Sequence, residues 1–362
     1  MADEREDAMA FSKQEILAAL KGVQDPDLHK DLVDLGMIKD VKSEGIGIEL
    51  TVELTTPACP LKDQIGADIK QTLTRRLGAG EVKLNWSSNT AATNLTAQDL
   101  IPGIKNVIMV AAGKGGVGKS TVAANLANAL AQHGAEVGLL DADIYGPSVP
   151  TMFGIHEQPV ATEDQRIIPH VKFGLKLMSM GFLLAEGQAV VWRGPMLDSA
   201  IRQFLGQVDW GNLDYLIVDM PPGTGDVQLS LTRMVPTAQA VIVTTPQDVA
   251  LADVKRAIGM FNTVKVNVLG VVENMSGFIC SHCGQRTDIF GKGAGRRCAE
   301  KYGIAYFGEI PLTEAVVASG DSGKPILVSH PTDPASIALK EFAMRVAQQV
   351  AIHANRNQPV TA

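Results

Sequence analysis

Residues 107–121 read VIMVAAGKGGVGKST, and this stretch decides the fold of the chain. Its apolar beginning is typical of a buried strand, and the residues after Lys119 have helical spacing. Between the two lie Gly113, Gly118, Lys119 and Ser120, which fit the pattern G-x-x-x-x-G-K-[ST] in the strand-then-helix context that this pattern requires. The stretch therefore predicts a phosphate-binding P-loop.

The residue types of this loop indicate its chemistry. Glycines allow backbone N–H groups to turn towards the phosphates, and the following helix places the positive end of its dipole there. We expect Lys119 to reach the β- and γ-phosphates of ATP, and Ser120 to ligate Mg²⁺. The residues predicted to contact the nucleotide are Gly113, Gly115, Gly116, Val117, Gly118, Lys119, Ser120 and Thr121.

Acidic residues follow two further predicted strands. Asp141 and Asp143 come after the apolar run 137–140, and Asp219 closes the run 215–218. The carboxyl ends of parallel strands form the ligand side of such a sheet. We therefore expect Asp219 and Asp141 to hold Mg²⁺ through water, and Asp143 to face the nucleotide unless it only caps a turn.

The chain of 362 residues alternates predicted strands and helices after residue 104, which indicates an α/β fold. The prediction is a mostly parallel, doubly wound P-loop NTPase sheet preceded by a small α+β domain. The predicted segments are a disordered tail at 1–10, the α+β domain at 11–86, a linker at 87–103, the ATPase domain at 104–354 and a second disordered tail at 355–362.

Composition excludes several classes of function. The formal net charge is −7 and no long Lys/Arg run occurs, so the sequence predicts no nucleic-acid partner. The acidic, polar start is unlike a secretory signal, and no apolar stretch is long enough to span a bilayer. We therefore expect a cytoplasmic protein with no membrane partner, whose cysteines stay reduced.

The cysteines Cys280 and Cys283 form a C-x-x-C pair. The pair begins six residues after Asn274, which directly follows the predicted strand 268–273. Two thiolates are half of the four-thiolate set that a [4Fe–4S] cluster or a structural zinc site uses. Zinc completed by Cys298 or His282 is one alternative, and a redox disulfide is another. Packing in the protein core is the simplest role for Cys298.

Lys114 is a second lysine in the loop, which an ordinary P-loop does not require. The segment KGGVGKST resembles the deviant Walker A ATPases, which include MinD and ParA, nitrogenase iron protein, the arsenical-pump ATPase and the Mrp/ApbC carriers. The resemblance implies a homodimer in which Lys114 crosses to the partner's nucleotide, Asp143 orients the attacking water and Asn274 binds the adenine edge. The implied catalytic residues are Lys114, Lys119 and Asp143; the alternatives are a solvated Lys114 and a turn-forming Asn274.

Five further segments narrow the resemblance to the Mrp/ApbC family of iron–sulfur carrier ATPases. They are LLDADIYGPSVP (139–150), VDMPPGTGD (218–226), TTPQDVALADV (244–254), GVVENMSGFICSHCG (270–284) and IFGKGAG (289–295). The resemblance implies slow ATP hydrolysis and transfer of a cluster to apoprotein recipients, with a scaffold or donor protein as a further partner. With two copies of the chain, Cys280 and Cys283 would supply four thiolates to one [4Fe–4S] cluster.

The N-terminal segment resembles the iron–sulfur assembly-associated domain that is often fused to these carriers. The resemblance rests on Asp25-Pro26-Asp27, on residues 33–38 and on Thr55-Thr56-Pro57-Ala58-Cys59-Pro60. Cys59 precedes a predicted helix, whose N-terminus should lower the pKa of the thiol and make it reactive. The alternative is a partly buried hydrophobic residue at a helix cap.

Two rival functions share the P-loop. A MinD- or ParA-like positioning ATPase would need a basic amphipathic C-terminal helix or a basic DNA-binding face, and the helix predicted at 335–351 has mixed charge and one aromatic residue. A reductase like nitrogenase iron protein would carry its ligand cysteines singly, on separate loops. The C-x-x-C pair favours the carrier over both.

Overall fold

A computed structural model describes residues 10–90, 92, 100–144, 146–183 and 194–356. Residues 1–9 and 357–362 of the two predicted tails, and 91 and 93–99 of the predicted linker, lie outside the described residues. The described chain forms two compact units, one made of residues 10–90 with 351–356 and the other of residue 92 and residues 100–350. The domain boundaries taken from the sequence stay predictions.

The first unit pairs helices with a three-stranded sheet. Its elements are α1 (Lys13–Leu20), β1 (Gln24–Asp25), β2 (Lys30–Asp31), β3 (Ile38–Glu44), β4 (Gly47–Leu54), α2 (Lys62–Leu77) and β5 (Val82–Ser88). The alternating residues of β4 are buried on one face, as its sequence pattern predicts. They form one apolar core with Ile16 and Leu20 of α1 and with Ile65, Ile69 and Leu73 of α2.

The second unit alternates strands and helices. Its strands are β6 (Ile104–Ala111), β7 (Val137–Asp141), β8 (His170–Lys172), β9 (Leu175–Ser179), β10 (Leu213–Asp219), β11 (Gln239–Thr244), β12 (Asn267–Ile279), β13 (Arg286–Thr287) and β14 (Ala305–Leu312). Its helices are α3 (Lys119–Gln132), α4 (Val149–Phe153), α5 (Gly194–Gly206), α6 (Asp226–Met234), α7 (Asp248–Thr263), α8 (Ala294–Tyr302), α9 (Glu314–Asp321), α10 (Ile326–Ser329) and most of α11 (Pro334–Arg356), whose residues 351–356 are counted with the first unit.

These nine strands form one sheet in the order β13-β12-β11-β6-β10-β7-β9-β8, with β14 paired to β12. Only the short strands β8 and β13 pair antiparallel with their neighbours. The central strands are buried continuously, as strands covered on both faces should be. The predicted fold class, a mostly parallel α/β sheet preceded by a small α+β unit, is confirmed.

Register brings the predicted ligands to one edge of this sheet. Asp219, the last residue of β10, lies opposite Val110 of β6 on one side and Asp141 of β7 on the other. The loop that follows β6 and the acids that end β7 and β10 therefore meet at the carboxyl ends of three neighbouring strands. This is the position at which open α/β sheets bind their ligands.

Strand β12 is longer than the sequence predicts. It continues past Asn274 to Ile279, although Met275 and Gly277 have positive φ angles of 56° and 77°. The register between β12 and β14 shifts over the same residues, which marks a bulge. The cysteine pair therefore lies beyond an irregular extension of the strand.

No helix among the described residues has the length and apolar character to cross a membrane.

Candidate functional site

The predicted phosphate loop connects β6 to α3. Gly118 occupies the N-cap position of α3 with φ 79° and ψ 26°, and Gly116 also has a φ of 79°. Left-handed backbone of this kind disfavours any residue with a Cβ atom. Lys119 is the first residue of the helix. The backbone N–H groups of Lys119, Ser120 and Thr121 therefore lie at the positive end of the helix dipole.

Two glycines of the loop are also required by close packing. A Cβ atom on Gly113 would overlap the backbone carbonyl of Asp253 in α7. A Cβ atom on Gly118 would overlap the side-chain amide of Asn274, whereas Gly116 has no heavy atom within 4 Å of the same position. The loop is therefore held against two other elements of the unit.

We expect Gly118→Ala to destabilise the chain more than Gly116→Ala. Both changes place an L-residue in left-handed backbone, which costs about 1–2 kcal/mol. Only the first also forces Asn274 aside, and such overpacking adds about 1–3 kcal/mol. Urea unfolding in the absence of nucleotide measures the two shifts in midpoint. Equal shifts would show that Asn274 does not pack against the loop.

Lys119 is buried among acidic side chains. Its Nζ lies 2.5 Å from Oδ1 of Asp219 and 3.6 Å from Oδ2 of Asp143, and it donates to the Ser120 hydroxyl at 3.2 Å. Burial raises the pKa of Asp219, and the lysine acts in the opposite direction. The other oxygen of Asp219, Oδ2, is buried and accepts no hydrogen bond. An unpartnered carboxylate oxygen beside a serine hydroxyl suits a hydrated Mg²⁺ ion.

Asp141 is held by the loop that follows β7 and by Ser179. Its Oδ1 accepts the backbone N–H of Asp143 at 3.1 Å, and its Oδ2 accepts those of Ser148 and Val149 at 3.1 Å and the hydroxyl of Ser179 at 3.0 Å. Burial raises the pKa of Asp141 to about 7, and the nearby Asp219 carboxylate adds to the shift. Asp141 therefore shapes the loop that presents Asp143, and its water-mediated contact with Mg²⁺ stays a prediction.

A cleft of about 620 Å³ opens beside these residues. One wall carries the loop and its acids, including Lys114, Lys119, Ser120 and Asp143. Another part of the lining is largely apolar and is formed by the end of β14 and by α9, through Pro311, Leu312, Val316 and Val317. The cleft therefore combines a phosphate cradle with an apolar surface, as a nucleotide site requires.

Asn274 supports the loop directly. Its side-chain amide donates to the backbone carbonyl of Val117 at 2.8 Å, and it also lines the cleft. The next residue, Met275, lines the cleft as well. The predicted contact between Asn274 and adenine is not tested by this arrangement. What the structure adds is a brace from β12 to the phosphate loop.

The segment after Asp219 is tied to the phosphate loop by its backbone. The N–H of Gly223, whose φ is 92°, donates to the carbonyl of Ala112 at 3.1 Å. The side-chain amide of Gln228 donates to the carbonyls of Pro221 and Pro222 at 3.0 and 2.8 Å. The Gly223 hydrogen bond joins the segment to the residue at which β6 leads into the phosphate loop.

Cys280 and Cys283 lie in the tight turn of a hairpin between β12 and β13. The turn is closed by the N–H of Cys280 donating to Gln285 O at 3.1 Å and that of Gly284 to Cys280 O at 2.9 Å. The backbone N–H groups of His282 and Cys283 donate to the sulfur of Cys280 and lower the pKa of its thiol. Cys283 is exposed and Cys280 is half-exposed. The turn therefore presents two accessible thiols, and their role as a metal half-site stays a prediction.

The other two cysteines are placed differently. Cys298 of α8 is buried among apolar side chains, which raises the pKa of its thiol. Its predicted packing role agrees with this position. No group of three or more His, Cys, Asp or Glu side chains within the described ranges could hold a metal ion. Neither Cys298 nor His282 therefore completes a zinc site with the pair within this part of one chain.

The predicted direction of the pKa shift at Cys59 is wrong, because the pKa is raised. The N–H groups of Leu61 and Lys62, at the start of α2, do donate to its sulfur and lower the pKa. Burial against the core of the first unit is the larger effect and raises the pKa, and Asp25 and Asp27 raise it further. Desolvation therefore outweighs the helix N-terminus at this position.

We expect Cys280 to be alkylated at lower pH than Cys59. Thiolates are the nucleophiles, and the shifts place ionisation below 9.0 for Cys280 and above 9.0 for Cys59. At about pH 8, iodoacetamide should therefore modify Cys280 faster than Cys59. Mass spectrometry of one sample compares the two sites, and the unfolded chain, where the rates should converge, is the control. Equal rates in the folded protein would contradict the shifts.

Sequence reasoning missed the hydrogen bonds of two side chains in this region, Glu273 and Ser281. Glu273 is fully buried, and its carboxylate accepts from Ser276 Oγ at 2.8 Å and from the N–H groups of Gly293 and Gly295 at 3.0 and 2.6 Å. The hydroxyl of Ser281, inside the C-x-x-C turn, donates to Glu314 at 3.0 Å. Glu314 begins α9, the helix that forms a cleft wall. The sequence signal for Glu273 was an acid at the end of an apolar strand.

Comparison with known proteins agrees with this geometry. Residues 103–347 match the model of the ParA family, described as NUBPL iron-transfer P-loop NTPases, and residues 13–84 match that of iron–sulfur cluster assembly proteins. The iron–sulfur cluster carrier protein of Deinococcus radiodurans is 51% identical over 338 residues, which cover 93% of this chain and 95% of that protein.

Two solved structures are similar as well. A nucleotide-binding protein of Archaeoglobus fulgidus in complex with ADP is 40% identical, with a TM-score of 0.57, and covers 66% of this chain and 95% of its own. The cell-division ATPase MinD of Pyrococcus furiosus is 19% identical, with a TM-score of 0.52, covers 67% and 98%, and supports the fold alone. The resemblance to the iron–sulfur carrier ATPases is thereby confirmed, and the chain belongs to the family of NUBPL iron-transfer P-loop NTPases.

Proposed function

We propose that this chain binds and hydrolyses ATP, carries a [4Fe–4S] cluster between two copies of itself and transfers that cluster to apoproteins. The observation that supports this most directly is the course of β12. One strand carries Asn274, which braces the phosphate loop, and leads into the hairpin that presents Cys280 and Cys283. Nucleotide and cluster sites thus share one structural element.

For the nucleotide, each residue has a role that its position supports. Lys119 binds the β- and γ-phosphates, and Asp143, held near it, orients the attacking water. Ser120 and the unpartnered oxygen of Asp219 hold Mg²⁺. When bound, Mg²⁺ neutralises charge that develops on the phosphates. The ADP-bound archaeal relative, at 40% identity, supports an adenine nucleotide in this cleft.

For the cluster, the chain offers two accessible thiols in one turn. Backbone N–H groups stabilise the thiolate form of Cys280, and thiolates are the ligands that iron–sulfur clusters use. One copy would supply two of the four cysteine ligands, and a second copy would supply the other two. Lys114 lines the cleft and is proposed to reach the nucleotide of the partner, which would bring the two hairpins together. The names of the bacterial relatives support a cluster as the cargo.

The partners follow from this cargo. A carrier needs a scaffold or donor protein that supplies the cluster and apoproteins that receive it. Four free cysteines suit the reducing cytoplasm that the sequence predicts. A zinc ion in the same hairpin would instead favour a positioning ATPase with a structural metal site, because thiolate pairs also suit zinc.

Metal analysis under anaerobic conditions tests the proposal. The chain is purified without oxygen, and iron, sulfide and zinc are measured together with the mass of the particle. We expect about four iron and four sulfide per dimer. Stoichiometric zinc without iron, or a cluster held by a monomer, would overturn the assignment of the cysteine pair.

A further inference from the structure

The sheet of the first unit has two edges, and they differ in regularity. Its strand order is β3-β4-β5, so β3 and β5 lie at the edges. The pairing of β3 with β4 shifts register between Ile38 and Val41. The pairing of β5 with β4 runs without a shift from Val82 to Ser88. Bulges protect edge strands against further pairing, and β5 has no such protection.

The unpaired side of β5 is defined by its hydrogen bonding. The N–H of Ile48 donates to the carbonyl of Glu81 at 2.9 Å. Because a strand turns alternate residues to opposite sides, Lys83 and Asn85 direct their backbone groups towards β4, whereas Leu84 and Trp86 direct theirs away from it. Among the described residues, β4 is the only strand that pairs with β5.

A groove of about 650 Å³ runs along this edge, between β5 and α2. The apolar part of its lining is formed by Leu84 and Trp86, which meet α2 at Gly66, where an added Cβ atom would lie 3.2 Å from the indole ring. The glycine keeps this part of the helix surface low. An extended segment next to β5 could therefore place alternate side chains on the indole and the helix.

The rim of the groove carries charges of both signs, with one more lysine than acids. Lys62, Lys70 and Lys83 line it, against Asp63 and Glu81. The Lys62 ammonium lies 5.3 Å from the centre of the Trp86 ring, and the Lys83 side chain is 67% exposed. A weak surface pair of 3.7 Å joins Lys83 to Glu81. The excess of ammonium groups favours an acidic partner and disfavours a second copy of the same edge.

We propose that β5 is a docking edge for an extended segment of a partner protein in which apolar and acidic residues alternate. The segment adds a strand to β5, rests its apolar side chains on Trp86 and Gly66, and turns acidic side chains towards Lys83. Main-chain hydrogen bonds provide affinity in this mode, and the alternating side chains provide specificity. The groove contains no residue of the nucleotide cleft or of the cysteine hairpin, so its test is independent of both.

Binding of a defined peptide to the full chain tests the docking edge. The probe is a fluorescently labelled, end-blocked peptide of alternating valine and glutamate, measured by anisotropy, with valine and lysine as the opposite-charge control. Two isomers carry N-methyl groups on the valines or on the glutamates. An added strand directs only one of these sets of N–H groups towards β5, so we expect one isomer to bind and the other to fail. Equal binding of both isomers, or no binding of the parent peptide, would overturn the proposal.

Matched charge changes locate the binding on the chain. Lys83→Glu should weaken the glutamate peptide by about tenfold at low salt, because it reverses the charge that the acidic side chains face. Lys70→Glu, on the α2 side of the groove, should weaken it less. Lys42→Glu makes the same change on the opposite edge strand, β3, and should leave affinity unchanged. ATP turnover and iron content should be the same in all three variants. Equal loss of affinity in Lys42→Glu would show non-specific attraction and would contradict a site at β5.

Discussion

Replacing Lys119 is expected to lower ATP turnover by at least ~10²–10³-fold, the loss that follows removal of one preorganised electrostatic donor. The Lys119 ammonium is buried, and the side chain closest to it is Asp219. Lys119→Ala would therefore leave buried carboxylates unpaired, which can cost about 3–5 kcal/mol of stability. Lys119→Arg keeps the positive charge and avoids this loss, but its planar head cannot reproduce the contact of a compact ammonium with the phosphates.

The measurement is steady-state ATP hydrolysis together with iron content for both variants. We expect both to lose turnover and the folded arginine variant to keep its cluster, because the cysteine hairpin is unchanged. Lys105→Ala is the matched control. Lys105 lies at the start of the same strand, β6, and pairs with Asp214 at 2.9 Å. Its replacement should leave hydrolysis unchanged. Normal turnover in Lys119→Arg would refute the assignment of the phosphate-binding lysine.

Removing both hairpin cysteines is expected to abolish iron binding. Cys280→Ala with Cys283→Ala should reduce iron from about four per dimer to background, because no thiolate remains at the half-site. ATP turnover of the free chain should persist, since Lys119, Asp143 and Asp219 are untouched. Iron and sulfide analysis and the charge-transfer absorbance of the reconstituted protein measure the effect.

The control for this experiment removes the same number of thiols elsewhere. Cys59→Ala with Cys298→Ala should keep the full iron content, because Cys298 packs in the core around α8 and Cys59 against the core of the first unit. Sulfide or iron retained after loss of Cys280 and Cys283, or iron lost only in the control, would assign the cargo to other ligands.

Much of the fold could be predicted because its signals are local. The sequence patterns predict strands at 213–219 and 106–111 and helices at 119–133 and 249–264. The observed β10, β6, α3 and α7 agree with these bounds within two residues. The small elements were missed: β1, β2, β13 and α10 are each four residues or shorter, too short for any periodicity to be recognised. Strand β12 was predicted to end near Asn274 because Asn and Gly indicate turns, and pairing with β14 and β13 carries it to Ile279.

The candidate site also has parts that the sequence predicts and parts that it does not. The P-loop, the acids after β7 and β10 and the cysteine pair are each contiguous motifs, so the order of residues alone indicates their chemistry. The roles of single side chains were harder to predict. Asp141 accepts four hydrogen bonds that shape a loop, and Asn274 contacts a carbonyl 157 residues away in the chain. Such contacts exist only once the strands are aligned.

The sequence by itself determined that the chain has a phosphate loop, acids at strand ends and a two-thiol half-site, because each requires particular residue types at short spacing. Tertiary structure alone decided that Lys119 pairs with an aspartate 100 residues away, that Glu273 fastens β12 to the start of α8, and that burial makes Cys59 a weaker acid. The physical reason is that desolvation and long-range hydrogen bonding depend on which groups surround an atom, and neighbours in space are set by the packing of the whole unit.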